Sequence, residues 1–214
     1  MGKIRKGVLG GFSGKVGTVV GATRNGISYI RSLPASVRNP RTQAQKEQRA
    51  RFAVASAFLK GVVALLKIGW RRYAVGGMTP FNAAMSYVVK AAISGSYPDY
   101  SVNPSKVFVS RGSLAPAFET ELGVAGNAVL VKWDDNSAAG GASASDKALV
   151  AVINRVSGEA VTLAGAAERS AGRQEVSVPS SWLNCDLSCY LGFVSSDGRQ
   201  TSNSVYMGDI VIVG

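Results

Sequence analysis

A glycine-lysine pair, two closely spaced cysteines and a few clusters of acids and serines are the residues in this chain whose types could do chemistry. Gly14-Lys15 sits in GGFSGKV, a stretch that invites reading as a phosphate cradle. A phosphate-binding loop of that kind needs G-x-x-x-x-G-K followed by Ser or Thr. Here the position of the first glycine is Leu9 and the residue after the lysine is Val16, so the hydroxyl that would hold a magnesium ion is missing. Cys185 and Cys189, on one strand, would stand roughly 13 Å apart, too far for a disulfide. Two thiols without histidine are also too few for structural zinc. The acids Asp134 and Asp135, and Glu119 and Glu121, lack the spacing of a calcium cage. Ser180-Ser181 and Ser195-Ser196 have no base beside them in the sequence. The chain contains no histidine, the usual general base near neutral pH. A non-enzymatic protein is expected, with no catalytic, cofactor-binding or metal-ligating residues.

The charge points elsewhere. Over 214 residues the net charge is +11, but it is divided unevenly. Residues 1–111 hold 18 bases against two acids, Glu47 and Asp99, a net of +16; residues 112–214 hold 6 bases against 11 acids, a net of −5. Such asymmetry predicts two modules, the first facing something anionic. Composition changes near the same place, where SGSYPDYSVNPS (94–105) has the prolines and serines of a linker. The predicted organisation is a glycine-rich basic arm and hairpin over 1–33, a basic helical region over 34–97, a linker over 98–105 and a β-sandwich over 106–214.

In the arm, GTVVGATR and ISYIRSL are β-prone runs separated by Asn25-Gly26, the strongest short hairpin signal. The glycines Gly7, Gly10, Gly14, Gly17 and Gly21 would also line one face of a helix. Their low helix propensity, and Val19-Val20, argue against it. The expectation is a hairpin from Gly17 to Leu33 behind a flexible lead. An isolated hairpin is marginal in water, so this one needs another surface. Lys15, Arg24, Tyr29 and Arg31 are its candidate contact residues.

Beyond Pro40, Thr42 and Gln45 have capping-box spacing, and a helix is predicted from there to about Trp70. Lys46, Arg49, Lys60, Lys67 and Arg71 fall on one stripe of a rod roughly 40–45 Å long. Phe52, Ala55, Leu59, Val62 and Leu66 fall on the face to be buried. Gly61 and Gly69 are weak points where the rod can break. The stripe fits a solvated face, a phosphate backbone, a membrane surface or an acidic protein partner. Its candidate binding residues are Arg38, Arg41, Lys46, Arg49, Lys60, Lys67, Arg71 and Arg72. A second helix is marked by Thr79 as cap, Pro80 at its first position and Gly95 at its end. Trp70 to Tyr73 then reads as a tryptophan closing the helix pair, with stacking on exposed bases as the alternative. Lys60 and Lys67 interrupt the longest apolar run, so no spanning helix is expected. Glycines and Lys15 interrupt any secretion-signal core, which suggests a cytoplasmic or virion-associated protein.

From Lys106 onward, KVFVS, NAVLVKW, KALVAVINR, AVTL, EVSV, CYLGFVS and SVYMGDIVIVG read as short strands at near-regular spacing. They predict an antiparallel sandwich of immunoglobulin or fibronectin type III kind, with Trp133 in its core and a turn at Asp197-Gly198. The fold class is therefore α+β: an N-terminal β-hairpin, a helical hairpin, then a sandwich.

GGFSGKVGTVVGATRNGISYIRSLP, NPRTQAQKEQRARF and the tail SCYLGFVSSDGRQTSNSVYMGDIVIV together resemble an uncharacterised family found in Bacteroidota and their phages. The resemblance covers nearly the whole chain and implies no activity or site residues; its phage link implies a virion or other assembly role by analogy. The expected function is that of a structural, self-assembling protein whose basic half engages DNA or a neighbouring subunit, as a homo-oligomer. The alternative is a monomeric, sequence-independent nucleic-acid-binding protein.

Overall fold

Val, Ile and Tyr set between glycines fold at the start of the chain as antiparallel strands. The computed structural model describes residues 2–4, 10–24, 26–36 and 39–213, which divide into two units, 1–43 and 44–214. In the first unit Lys3–Ile4 (β1), Phe12–Val16 (β2), Val19–Arg24 (β3) and Ile27–Ser32 (β4) form a sheet in that order. The expected hairpin is present: Arg24 pairs with Ile27, and Gly26 has φ +82°, as a primed turn demands. Asn25 lies outside the described residues. The lead, expected to be flexible, instead contributes β1 and β2. Glycine makes this sheet feasible at Gly21, where a Cβ would come within 2.1 Å of the Phe12 carbonyl oxygen.

The second unit opens with helices Gln43–Lys60 (α1), Val63–Gly69 (α2) and Pro80–Ala91 (α3). The single rod predicted as far as Trp70 is broken, α1 and α2 meeting at 89°. Gly61 sits at the break, against a neighbouring turn; a Cβ there would stand 2.8 Å from the Gly158 carbonyl oxygen. The bend carries Val62, Leu65 and Leu66 into the core with Ala55 and Leu59, whereas Phe52, expected inside, is half exposed. No single described helix is long and apolar enough to cross a membrane. The Thr79 hydroxyl caps α3 by accepting from the Asn82 N–H at 3.2 Å. The helix stops before Gly95, which instead belongs to a hairpin of Ile93–Ser96 (β5) and Asp99–Val102 (β6). The stretch 98–105, expected as a linker, thus holds a strand and the start of a 3-10 turn, Pro104–Lys106.

Seven strands follow: Phe118–Ala125 (β7), Ala128–Asp134 (β8), Lys147–Asn154 (β9), Ala160–Glu168 (β10), Arg173–Ser177 (β11), Asp186–Val194 (β12) and Val205–Val211 (β13). They form two antiparallel sheets, β10-β9-β12-β13 and β11-β8-β7. Val129, Val131, Trp133 and Val176 of the smaller sheet meet Val150, Val152, Leu191 and Phe193 of the larger in one core. The other face of the larger sheet, with Leu149, Ala151, Ile153 and Tyr190, packs against the helices in a second core. Helices and strands of residues 44–214 therefore share one body, although charge and composition change between them. KVFVS is not a strand. Val107 and Val109 are buried, and the segment is tied by Trp70 Nε1–H donating to the Phe108 carbonyl (3.0 Å) and the Val109 N–H donating to Ser204 Oγ (2.9 Å).

Burial raises the Cys189 thiol to about 12, so it stays protonated and apolar in the core. An ion pair is buried here too. Arg169 donates through Nε to Asp146 (3.2 Å), through one terminal nitrogen to Asn136 and through the other to the Ala115 carbonyl (3.1 Å). Its guanidinium lies 3.8 Å from the centre of the Phe193 ring, and its carbonyl accepts from Trp133 Nε1–H at 2.7 Å. Burial pulls the Arg169 pKa below its ordinary value, and Asp146 opposes that pull. Removing one member of such a pair leaves the other charge buried alone. Arg169→Met is expected to destabilise the protein by about 3 kcal/mol or more, read as a lowered urea midpoint, with the Asp146→Asn, Arg169→Met double variant recovering part of the loss.

Candidate functional site

Alternation in a sheet sorts side chains by face, and in the first unit it gathers the expected arm residues. Lys15 stands opposite Val20 and Val20 opposite Arg31; Ala22 stands opposite Tyr29, and Arg24 opposite Ile27. Directly opposed residues share a face, as do residues two apart on one strand. Lys15, Arg24, Tyr29 and Arg31 therefore lie on a single face, and all four are exposed. Residues 1–43 carry eight bases and no acid, so that face has no carboxylate of its own unit to neutralise it. Among the described residues of this unit only Gly21 is buried. Ile4, Val16, Ile27, Tyr29, Ile30 and Leu33 are exposed, Ile27 at 72% and Ile30 at 64%. This is a sheet without a core of its own.

The expected helical stripe is dispersed. Arg38 lies outside the described residues, and Arg41 is exposed ahead of α1. Lys46, Arg49 and Lys60 are exposed on α1, Lys67 on α2, and Arg71 and Arg72 on a 3-10 turn, Arg71–Tyr73. The 89° bend turns Lys67 and the two arginines off the line of the first three.

What the fold does bring together is an aromatic-basic cluster at the end of α2. The Arg111 guanidinium stands 5.7, 4.8 and 5.3 Å from the ring centres of Trp70, Tyr73 and Tyr87. Its backbone N–H donates to the Gly69 carbonyl at 3.0 Å, and its carbonyl accepts from Thr201 Oγ1 at 2.8 Å. Trp70 is buried and closes the helix pair, as expected; Tyr73 remains exposed beside Arg71 and Arg72. A shallow cleft of about 300 Å³ opens here, lined by Arg72, Tyr73, Gly112 and Ser113. Arg111 escaped sequence reasoning because it lies far along the chain from Trp70. A larger groove of about 730 Å³ runs between α1 and α3, with Phe52, Met85 and Val89 beside Arg51 and Lys90. Arg51 lies 5.0 Å from the Tyr100 ring centre, and its Nε is buried with no hydrogen-bond partner. No group of three or more acids or cysteines that could hold a metal ion occurs among the described residues.

A family profile described as a family of unknown function (DUF6266) matches residues 11–208, nearly the whole chain. No curated protein matches it.

The two kinds of cation should respond differently to mutation. Arg111→Met removes the charge from three rings and is expected to cost about 1–2 kcal/mol of stability. Lys67→Met, on an exposed helix position, should stay within about 0.5 kcal/mol of the parent. Urea unfolding followed by tryptophan fluorescence measures both.

Proposed function

The chain belongs to that family of unknown function, and from its own physical chemistry we propose that it is a non-enzymatic structural protein. Its N-terminal sheet completes itself on another surface, a polyanion such as DNA or a neighbouring subunit, as in a virion or other multi-subunit assembly. One observation carries the reading: a four-stranded sheet that buries none of its hydrophobic side chains and presents its cations on one face. Strands are stabilised by a buried face, and this sheet lacks one, so the apolar surface it exposes marks an interaction site. The following unit is packed on two hydrophobic cores. Its sheets, β10-β9-β12-β13 against β11-β8-β7, support an assignment to the immunoglobulin or fibronectin type III kind of sandwich.

The unopposed charge of residues 1–43 also favours a second reading, a monomer that binds nucleic acid without sequence preference. Phosphate contacts release counterions, so affinity would fall steeply with salt. Replacing Lys15, Arg24 and Arg31 together by Gln is then expected to flatten the log–log salt dependence by about three and weaken binding at low salt at least tenfold. Fluorescence anisotropy with duplex DNA measures this; an unchanged slope refutes phosphate binding by this face.

Light scattering on nuclease-treated protein separates the two readings. The assembly reading expects a large species that survives nuclease and is lost on deleting residues 1–33, while residues 44–214 keep their circular dichroism. A parent that is monomeric once digested rejects it.

A further inference from the structure

We propose that β4 of one copy adds as an antiparallel strand to the free edge of β7 in a second copy, with Ile30 opposite Leu122 and Arg31 opposite Glu121. This rests on the assembly reading and names its contact.

Both strands are edges, at the ends of their sheets. Which backbone groups they leave open follows from alternation. The Leu33 N–H donates to the Thr18 carbonyl at 2.7 Å, so the β3–β4 bonds fall on every second pair: 33, 31, 29 and 27. Ser28 and Ile30 therefore direct their N–H and C=O groups away from β3. On the other sheet, the Trp133 N–H donates to the Gly172 carbonyl and the Val178 N–H to the Asn127 carbonyl. Odd-numbered residues of β8 thus face β11, and even-numbered ones face β7. Lys132, Leu130 and Ala128 bond their partners Glu121, Gly123 and Ala125, which leaves Leu122 and Val124 open to the outside.

The two open edges match. Setting Ile30 opposite Leu122 puts Ser28 opposite Val124, so both outward-facing pairs can exchange two hydrogen bonds. On the same register Ile30 extends the apolar row of Leu122, which packs on the sandwich core. On the outer face Arg31 meets Glu121, Tyr29 lies over Gly123, and Ile27 lies beside Ala125. Oppositely charged pairs and an aromatic over glycine are both favourable across strands.

Charge selects β7 among the edges of the sandwich. β7 carries Glu119 and Glu121 and no base. On β13 Asp209 is taken by Arg155 and Ser188, on β10 Glu168 stands past a register break, and β11 carries Arg173 as well as Glu175. Glu121 lies 3.6 Å from Lys132, but both side chains are largely exposed, a pairing worth little. The register shift between Phe118 and Glu121, with Glu119 at φ +43°, ends the match. Five residues, 27–31 against 121–125, make the contact.

Cross-linking tests the register. In a Cys185→Ser background, Tyr29→Cys protein is mixed with Gly123→Cys protein and oxidised with diamide. Position 123 can take the side chain, since a Cβ there would have Leu130 as its nearest neighbour at 3.7 Å. The expected result is a disulfide-linked dimer mapping to positions 29 and 123, at least tenfold above a mixture of Ser28→Cys with Gly123→Cys, whose side chains would lie on opposite faces. Ile30→Pro removes an outward N–H without touching the β3 ladder and is expected to weaken association at least tenfold with circular dichroism unchanged. An oligomeric parent that gives no 29–123 link, or associates equally well as Ile30→Pro, overturns this pairing and leaves the assembly reading standing. A parent monomeric at every concentration overturns both.

Discussion

Everything in the second unit depends on a sheet that is buried on both faces. Strands β9 and β12 are buried along almost their whole length, Leu149, Ala151 and Ile153 turned to the helices and Val150 and Val152 to the smaller sheet. A strand in that position cannot alternate apolar with polar, and VAVIN and CYLGFV do not. The helices in turn can bury their apolar stripe only against that sheet. The bend at Gly61, the seat of Trp70 on the Phe108 carbonyl and the tethers of Val109 and Arg111 all serve to fit the helices and the chain beyond them onto it.

The first unit reverses that arrangement. Its strands pair well through their backbones but leave most of their side chains outside, with Phe12, Val19 and Val20 only half-buried. A sheet with one cationic face and an open apolar edge has two ways to bury itself, and they use different atoms: side-chain ammonium and guanidinium groups for a polyanion, main-chain amides for another strand. One surface need not exclude the other, because face and edge are perpendicular.

Much of this was legible in the sequence where the signal is local. The β3–β4 hairpin, the Thr79-Pro80 helix start and the turn at Gly198, with φ +70°, each follow from a few adjacent residues. Trp133 was readable as core for a similar reason. What could not be read depends on distant neighbours. β7 was missed because FETELGVA mixes acids with apolar residues, as an edge strand does, while KVFVS looked like a strand yet is held by side chains and serines far along the chain. The Arg169–Asp146 pair ties the loop before β9 to the sandwich core, and nothing within the loop sequence announces it. For the candidate site, the arm residues were found together because β-alternation is periodic over short range; the helical stripe was dispersed by a bend at Gly61, a weak point legible in the sequence, whose packing against the distant turn at Gly158 was not.

The cationic sheet face has a regulatory consequence. Side chains that change charge between pH 5 and 8 are chiefly histidines, and the chain has none. Nor do residues 1–43 contain a carboxylate that acid could neutralise. Acidification of the kind that loosens many assemblies would leave this face as charged as before. Attraction of that face for an anionic surface would instead be set by ionic strength, so that release would be governed by counterions rather than by protons.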